Sequence, residues 1–299
     1  MHSSISYFQY ASKILLSSFL NHVTCEESTP RHTLGQLTLY QYNTCPFCCK
    51  VRTYLDARNI PYETVEVDPV FKRQMKFSSY NKVPLLMING NRQIGDSSLI
   101  ISVLESLRVS GKPIDTIMSY FPTVTSQQGK SVVKEIMNKF VVAYGNADNL
   151  DARREEAKWR EWVDETYVHK FPVNIYRSPR EALLAFEYIM RVEGFTSTQK
   201  FLGKYIGAVS MYFVAKRLIK RHHIEGDVRE SIYKDSRKWM KAIGDNRPFL
   251  GGSEPNLADM SVYGVITSIE GLDTFKDMMA HDVALEKWYK NVKSFVYSK

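Results

Sequence analysis

The sequence predicts an α/β domain followed by an all-α domain. β-prone alternating runs are confined to residues 37–94, every periodic segment after residue 124 has helical apolar spacing, and a Gly- and Pro-bearing stretch lies between them. With 299 residues and 44% hydrophobic content the chain can build one or two cored domains, and its ordinary Gly and Pro content excludes a collagen-like, low-complexity or mostly disordered protein.

Leu37-Thr-Leu-Tyr-Gln-Tyr42 alternates and reads as a strand, and Asn43-Thr44 reads as a turn. Thr44 is the expected N-cap of a helix from Cys45 to about Arg58, with Pro46 early enough for its missing N–H to be harmless. Tyr62–Val67 is a second strand, Phe71–Phe77 a short helix, and Lys82–Ile88 a strand opened by Pro84. Asn89-Gly90 is a hairpin signal leading into Arg92–Ile94, and Asp96 caps a helix through Leu107. Residues 109–124 hold Gly111, Pro113 and Pro122 and read as a linker. Beyond it Trp159–Trp162, Ala182–Val192, Phe201–His223, Val228–Ile243 and Leu257–Leu272 read as helices, and no strand is expected. The expected division is a leader at 1–34, an α/β domain at 35–108, the linker at 109–124 and a helical domain at 125–299.

Forty Lys and Arg against 32 Asp and Glu give a net charge of +8, which favours anionic ligands or an acidic membrane surface. No nucleic-acid-binding motif or zinc-finger spacing accompanies it, so nucleic acid is not an expected partner. Residues 1–25 carry no acid and two short apolar patches, Ile14–Leu16 and Phe19-Leu20; no run approaches the roughly 18 apolar residues of a spanning helix. This segment reads either as a disordered leader or as a targeting or weak anchoring segment. Tyr205–Ala215, bounded by Lys204 and Lys216, reads as a core helix rather than a span.

Cysteine placement is the sharpest signal. Besides Cys25, the chain has Cys45, Cys48 and Cys49 within five residues, an arrangement suited to thiol, redox or metal chemistry in a reducing intracellular compartment and unsuited to a disulfide framework. Cys45-Pro46-Phe47-Cys48 follows a strand and opens a helix. The thiolate is the nucleophile, and the unpaired N–H groups and positive dipole end of a helix stabilise it. Cys45 at the first turn has that benefit, Cys48 one turn in is the resolving thiol, and Cys49 points away around the helix as a bystander. The alternatives are buried core cysteines or half a zinc site. Zinc needs two further ligands, and the one other clustered pair, His222-His223, faces apart on a helix. No metal site is expected.

The segment 37–107 resembles the glutaredoxin branch of the thioredoxin fold, and with its helical partner the chain resembles a glutathione transferase. Leu39-Tyr-Gln-Tyr-Asn-Thr-Cys-Pro-Phe-Cys48, Lys76-Phe-Ser-Ser-Tyr-Asn-Lys-Val-Pro84, Asp96-Ser-Ser, Lys158-Trp-Arg-Glu-Trp162, Asn174-Ile-Tyr-Arg177, Lys204-Tyr-Ile-Gly-Ala208, Lys216-Arg-Leu218 and Arg247-Pro-Phe-Leu-Gly-Gly-Ser-Glu-Pro-Asn-Leu-Ala-Asp259 resemble the family of membrane-associated prostaglandin E synthases of type 2. The likeness spans roughly residues 37 to 290. It departs at Cys49, where serine is expected, and at a shorter hairpin over 89–95; the leader shows little likeness.

The resemblance implies an isomerase that converts the endoperoxide prostaglandin H2 to prostaglandin E2 through Cys45, and a homodimer associated with a membrane of Golgi type or active in the cytoplasm. It implies bound glutathione, and haem held through the glutathione sulfur, a complex expected to break the endoperoxide instead. Tyr42, otherwise an ordinary half-buried aromatic, takes the role of hydrogen-bonding the thiolate, and Phe47 lines the mouth of an apolar pocket. Val83-Pro84 matches the cis proline of the fold, where the Val83 backbone pairs with an extended peptide such as glutathione. Asp96 and Ser97 open the next helix, with N–H groups and the Ser97 hydroxyl for the γ-glutamyl carboxylate and Asp96 for its ammonium. Arg217 and Arg221, four apart on one helix face, read either as a solvated basic face with Lys216 and Lys220 or, as the resemblance implies, as support for Cys45 and anchors for a carboxylate or haem propionates. Gly203-x-x-x-Gly207 reads as close helix packing, and Asn256–Asp259 as a capping box. Other readings of the same residues are a glutathione-dependent dithiol oxidoreductase or glutathione transferase, and a haem- or lipid-binding interaction protein without turnover.

Overall fold

The structure is a computed structural model that describes residues 34–68, 71–128, 131–144, 149–190, 197–221 and 226–298. The expected leader other than Leu34, Cys25 and His222-His223 lie outside the described residues.

Strand β1 (Leu37–Gln41) leads into helix α1 (Pro46–Ala57), and β2 (Glu63–Glu66) returns parallel to β1, in register from Thr38–Glu63 to Gln41–Glu66. A 3₁₀ turn at Arg73–Met75 stands where a short helix was expected over Phe71–Phe77. β3 (Leu85–Ile88) runs antiparallel to β1, and β4 (Arg92–Gly95) antiparallel to β3, giving the sheet order β2-β1-β3-β4. Asn89 and Gly90 both have positive φ, 51° and 69°, as a tight hairpin between right-twisted strands requires. Helix α2 (Ser97–Ser110) follows, capped by Asp96 and ended by Gly111 in the left-handed conformation.

The linker span is more ordered than its Gly and Pro content predicted. It contains helix α3 (Ile114–Met118) and the start of a hairpin, β5 (Thr123–Gln128) paired with β6 (Ser131–Ile136). This corrects the expectation that no strand lies beyond the linker at 109–124. Among its described positions the ribbon is exposed at Thr123, Val124, Thr125, Gln127, Lys134 and Glu135 and half-buried at Ile136, which gives a sequence reading no regular alternation to detect.

The helical half comprises α4 (Leu150–Trp162), a π-helical turn (Val163–Tyr167), α5 (Lys170–Ile175), α6 (Pro179–Ile189), α7 (Ser197–Arg221), α8 (Val228–Ile243), α9 (Leu257–Thr267), α10 (Asp273–His281) and α11 (Val283–Tyr297). The capping box is formed: Asn256 Oδ1 accepts from the Ala258 and Asp259 N–H groups, and the Asp259 carboxylate accepts from the Asn256 N–H. Asp259 also accepts from Leu250, Gly251 and Trp288 Nε1, so this buried carboxylate pins a loop and α11 to α9.

Helix α9 packs lengthwise on α1, and that contact joins the two halves. At its centre is Gly264, where a Cβ would come within 2.7 Å of Lys50 Cα and 2.8 Å of Lys50 N. The backbones touch there because no side chain intervenes. The expectation of a core helix at Tyr205–Ala215 is only half right. Ala208 and Ala215 are buried and Gly207 lies against the Phe186 ring, but Tyr205, Ile206, Val209 and Phe213 are exposed.

Candidate active site

Helix α1 begins one residue later than the sequence suggests. Cys45, not Thr44, holds the N-cap position with extended backbone, and Pro46 follows at N1. The Cys45 N–H donates to Tyr42 O at 3.0 Å, closing the turn between β1 and the helix. The Cys45 sulfur makes no cap hydrogen bond of full geometry. The Cys48 thiol and the N–H groups of Cys48 and Phe47 nonetheless face it, and these, with the Arg52 guanidinium, bring its pKa down to about 7 against the opposing effect of burial.

Cys48 is fully buried, and burial together with the neighbouring Cys45 raises its pKa well above the ordinary value. The two thiols therefore differ in role: Cys45 ionises near neutrality, and Cys48 stays protonated and donates to it. Burial first, then the charges at Cys45 and Cys48, raises the pKa of Tyr42, so its half-buried phenol remains a proton donor beside the thiol. Phe47 is half-buried at the first turn, with Lys50 Nζ 5.8 Å from its ring centre.

Arg52 was not foreseen. It lies two turns along α1 from Cys45, on the same face, and its guanidinium donates to Gln41 Oε1 at 2.5 Å, Asn43 O at 2.7 Å and Cys49 Sγ at 3.1 Å. Gln41 in turn donates to Glu66 Oε1 at 2.7 Å, and Glu66 Oε2 accepts from the Asn43 N–H at 3.1 Å. This network ties the end of β1, the turn and β2 to the helix that carries the thiols. Cys49 is buried and its pKa is pushed up to about 11, chiefly by burial. It stays a protonated thiol that donates to Asn43 O at 3.5 Å.

The Val83–Pro84 bond is cis. Val83 packs with Tyr40, Tyr42 and Tyr80 around Val67, Met75 and Leu85, and its N–H and C=O have no partner among the described residues. Tyr80, also unforeseen, joins this wall to the start of α2 by accepting from the Asp96 N–H at 3.0 Å. Its ring fills the space a Cβ at Gly95 would occupy. Asp96 has φ of +69°, an unusual backbone for an L residue, held by that bond and by its own cap. Its Oδ1 accepts from Ser98 N at 2.9 Å and Leu99 N at 3.1 Å, and Oδ2 lies 3.6 Å from Lys139 Nζ.

The expected carboxylate cradle is thereby narrowed. Asp96 already occupies those two helix N–H groups, which leaves the N–H and hydroxyl of the buried Ser97. Tyr42 and Tyr80 pack on the same cluster, the Cys45 N–H ties the thiol-bearing turn to Tyr42, and the charges of both thiols raise the pKa of both phenols after burial. Arg217 and Arg221 stand exposed on α7, which packs on α6 and α5, and Arg52 is a cation whose charge lowers the Cys45 pKa. Among the described residues no cluster of His, Cys, Asp and Glu could hold a metal ion.

Comparison with known proteins places this geometry. Residues 39–111 match the glutathione S-transferase N-terminal domain family. The chain is 45% identical over 265 residues to prostaglandin E synthase 2 of Mus musculus, covering 85% of this chain and 68% of the relative. It is 46% identical over 267 residues to prostaglandin E synthase 2 of Danio rerio, covering 86% and 70%. The chain belongs to the prostaglandin E synthase 2 family. Among solved structures, glutathione transferase Omega 3C from Trametes versicolor aligns over 88% of each chain with a TM-score of 0.47 and 15% identity. Membership accounts for the thioredoxin-like first half carrying the thiol and for the helical second half packed on it.

Proposed function

We propose that this chain isomerises prostaglandin H2 to prostaglandin E2, with Cys45 as the nucleophile. The observation that supports the reading best is the Cys45 thiol at the opening of α1, ionising near neutrality beside a protonated Cys48 and a protonated Tyr42. Family membership supplies the substrate, a lipid endoperoxide whose O–O bond bridges C9 and C11. The Cys45 sulfur attacks the C9 oxygen, the O–O bond breaks, and its electron pair stays on the C11 oxygen, which takes the Tyr42 proton. Loss of the C9 proton back to Tyr42 makes the C9 ketone, and the S–O pair returns to sulfur. Atoms and electrons balance without an external oxidant or reductant.

Glutathione fits beside the thiol. Val83 presents an unpartnered N–H and C=O to an extended peptide, and Ser97 offers its N–H and hydroxyl to a carboxylate at the N-terminus of α2. These residues would hold the peptide, and glutathione would supply a second thiol to the site. Haem held through the glutathione sulfur would need no side-chain ligand of its own, and the cations that the resemblance assigns to its propionates, Arg217 and Arg221, are exposed on α7. The isomerisation proposed here runs without it. The family likeness extends the reading to a homodimer working at a membrane surface.

A specific observation also favours dithiol chemistry, since Cys48 lies against Cys45 and could resolve a mixed disulfide formed there. Turnover of prostaglandin H2 by the wild type, Cys45→Ser and Cys48→Ser separates the readings. Isomerase activity is expected to vanish in Cys45→Ser and to survive in Cys48→Ser; a Cys48→Ser enzyme that loses turnover along with dithiol reduction would favour the oxidoreductase. Equal turnover by wild type and Cys45→Ser would falsify both.

A further inference from the structure

We infer that the outer face of α7 is a docking surface for an anionic phospholipid bilayer, an inference that rests on the membrane-surface part of the reading above and assigns it a place.

The inner face of α7 is accounted for. Ala208 and Ala215 are buried, Met211 and Tyr212 pack on the core, Gly207 meets Phe186, and Lys204 donates to Glu187 of α6 at 2.9 Å. At 100° per residue the opposite face carries Tyr205, Ile206, Val209 and Phe213, and these are 46%, 62%, 57% and 65% exposed. The same face continues, over the last turns, into Lys216, Arg217, Lys220 and Arg221, all exposed and none in an ion pair among the described residues. No Asp or Glu occurs between residues 197 and 221.

Large apolar side chains left in water beside uncompensated cations call for a covering that is itself apolar and anionic. A bilayer with acidic headgroups is both: Ile206, Val209 and Phe213 would enter the headgroup–acyl boundary while the cations meet phosphates and carboxylates. A second copy of a chain with net charge +8 brings the wrong sign to the basic end. The helix is 25 residues long, yet no helix among the described residues is long and apolar enough to cross a membrane, so α7 is suited to lying on the surface.

The test is flotation of the full chain with vesicles of phosphatidylcholine alone or with about a third phosphatidylserine, at low and at high salt. Wild type is expected to float with the anionic vesicles and to be released by high salt. Ile206→Ser/Phe213→Ser and, separately, Lys216→Glu/Lys220→Glu are each expected to weaken partitioning at least about tenfold. Circular dichroism should be unchanged, because all four positions are exposed. Wild type that ignores anionic vesicles overturns the inference together with the membrane-surface reading. Wild type that floats while both variants float equally overturns the inference alone and moves the contact elsewhere on the chain. Variants that convert a dimer to a monomer with vesicle binding intact also overturn it and assign α7 to a second copy.

Discussion

Lys50, on the helix that carries Cys45 and Cys48, is ion-paired inside the protein with Asp164, in the π-helical turn of the helical half. The ammonium is fully buried, and Ser98 completes the triangle, accepting from Lys50 Nζ at 3.0 Å and donating to Asp164 Oδ2 at 2.6 Å. Beside it the buried Arg160 donates to Ser98 O, Ser102 Oγ and Phe140 O. One polar cluster thus links α1, α2 and the end of α4, and sets how the thiol-bearing helix meets the helices behind it. Asp164 lies in the π-helical turn, Val163–Tyr167, that directly follows α4.

Asp164→Ala is expected to cost about 3–5 kcal/mol in urea unfolding, because it strands the Lys50 charge where burial already lowers its pKa. The sign of the pH dependence follows. With a folded-state pKa below the unfolded one, the unfolded chain binds more protons between the two values, so stability rises with pH there. The deficit of Asp164→Ala should therefore shrink from pH 7 toward pH 10. A deficit that grows over that interval would show that Lys50 is not the stranded charge.

Gly264→Ala should loosen the seam between the halves. The added methyl would meet backbone of α1 at 2.7 Å, which no rotamer change can relieve, so α9 and α1 must separate. A loss of about 1–3 kcal/mol is expected, as for overpacked cores. Thermal unfolding measures it, and an unchanged midpoint would show that α1 shifts freely.

Alkylation of Cys45 by iodoacetamide should be half-maximal near pH 7 and fall about tenfold per pH unit well below that. The Cys48 thiol is the largest of the groups that lower the Cys45 pKa. Cys48→Ala should move the midpoint toward the ordinary thiol value of about 8.5, while Cys48→Ser, which keeps an O–H donor, should move it less. Mass spectrometry of the labelled peptide reads Cys45 separately from Cys49, whose pKa near 11 leaves it unlabelled at neutral pH. Equal midpoints in the alanine and serine variants would rule out the donated hydrogen bond.

The thiol frame was legible because it is local: strand, turn, Pro46 and the Cys45–Cys48 spacing all lie within a dozen residues, and Asn89-Gly90 and Asp96 announce their own turn and cap. Arg52 was legible in principle, seven positions after Cys45 and so on its face of the helix, but a charged residue there looks like any solvated lysine or arginine. Lys50 and Asp164 are 114 residues apart, and nothing in either neighbourhood marks them as partners. The β5–β6 ribbon was missed because its described positions other than Ile136 are exposed, which leaves no apolar alternation to read. The outer face of α7 was misassigned because apolar spacing reports a face and not whether anything covers it.

The last prediction separates two sources of positive potential at the thiol. Arg217 and Arg221 are exposed on α7, where water and salt screen them. Arg52 is held in place by Gln41, Asn43 and Cys49 and acts on Cys45 directly. Arg52→Gln should raise the alkylation midpoint of Cys45, and Arg217→Gln/Arg221→Gln should move it less. Because Arg52 also braces the turn, Arg52→Lys serves as the control: it restores a charge without the forked hydrogen bonds. If Arg52→Lys recovers most of the midpoint, charge is the operative property; if it behaves as Arg52→Gln, the braced geometry is. A larger shift from the α7 pair than from Arg52→Gln would return the supporting role to Arg217 and Arg221, and would require α7 to approach Cys45 in solution.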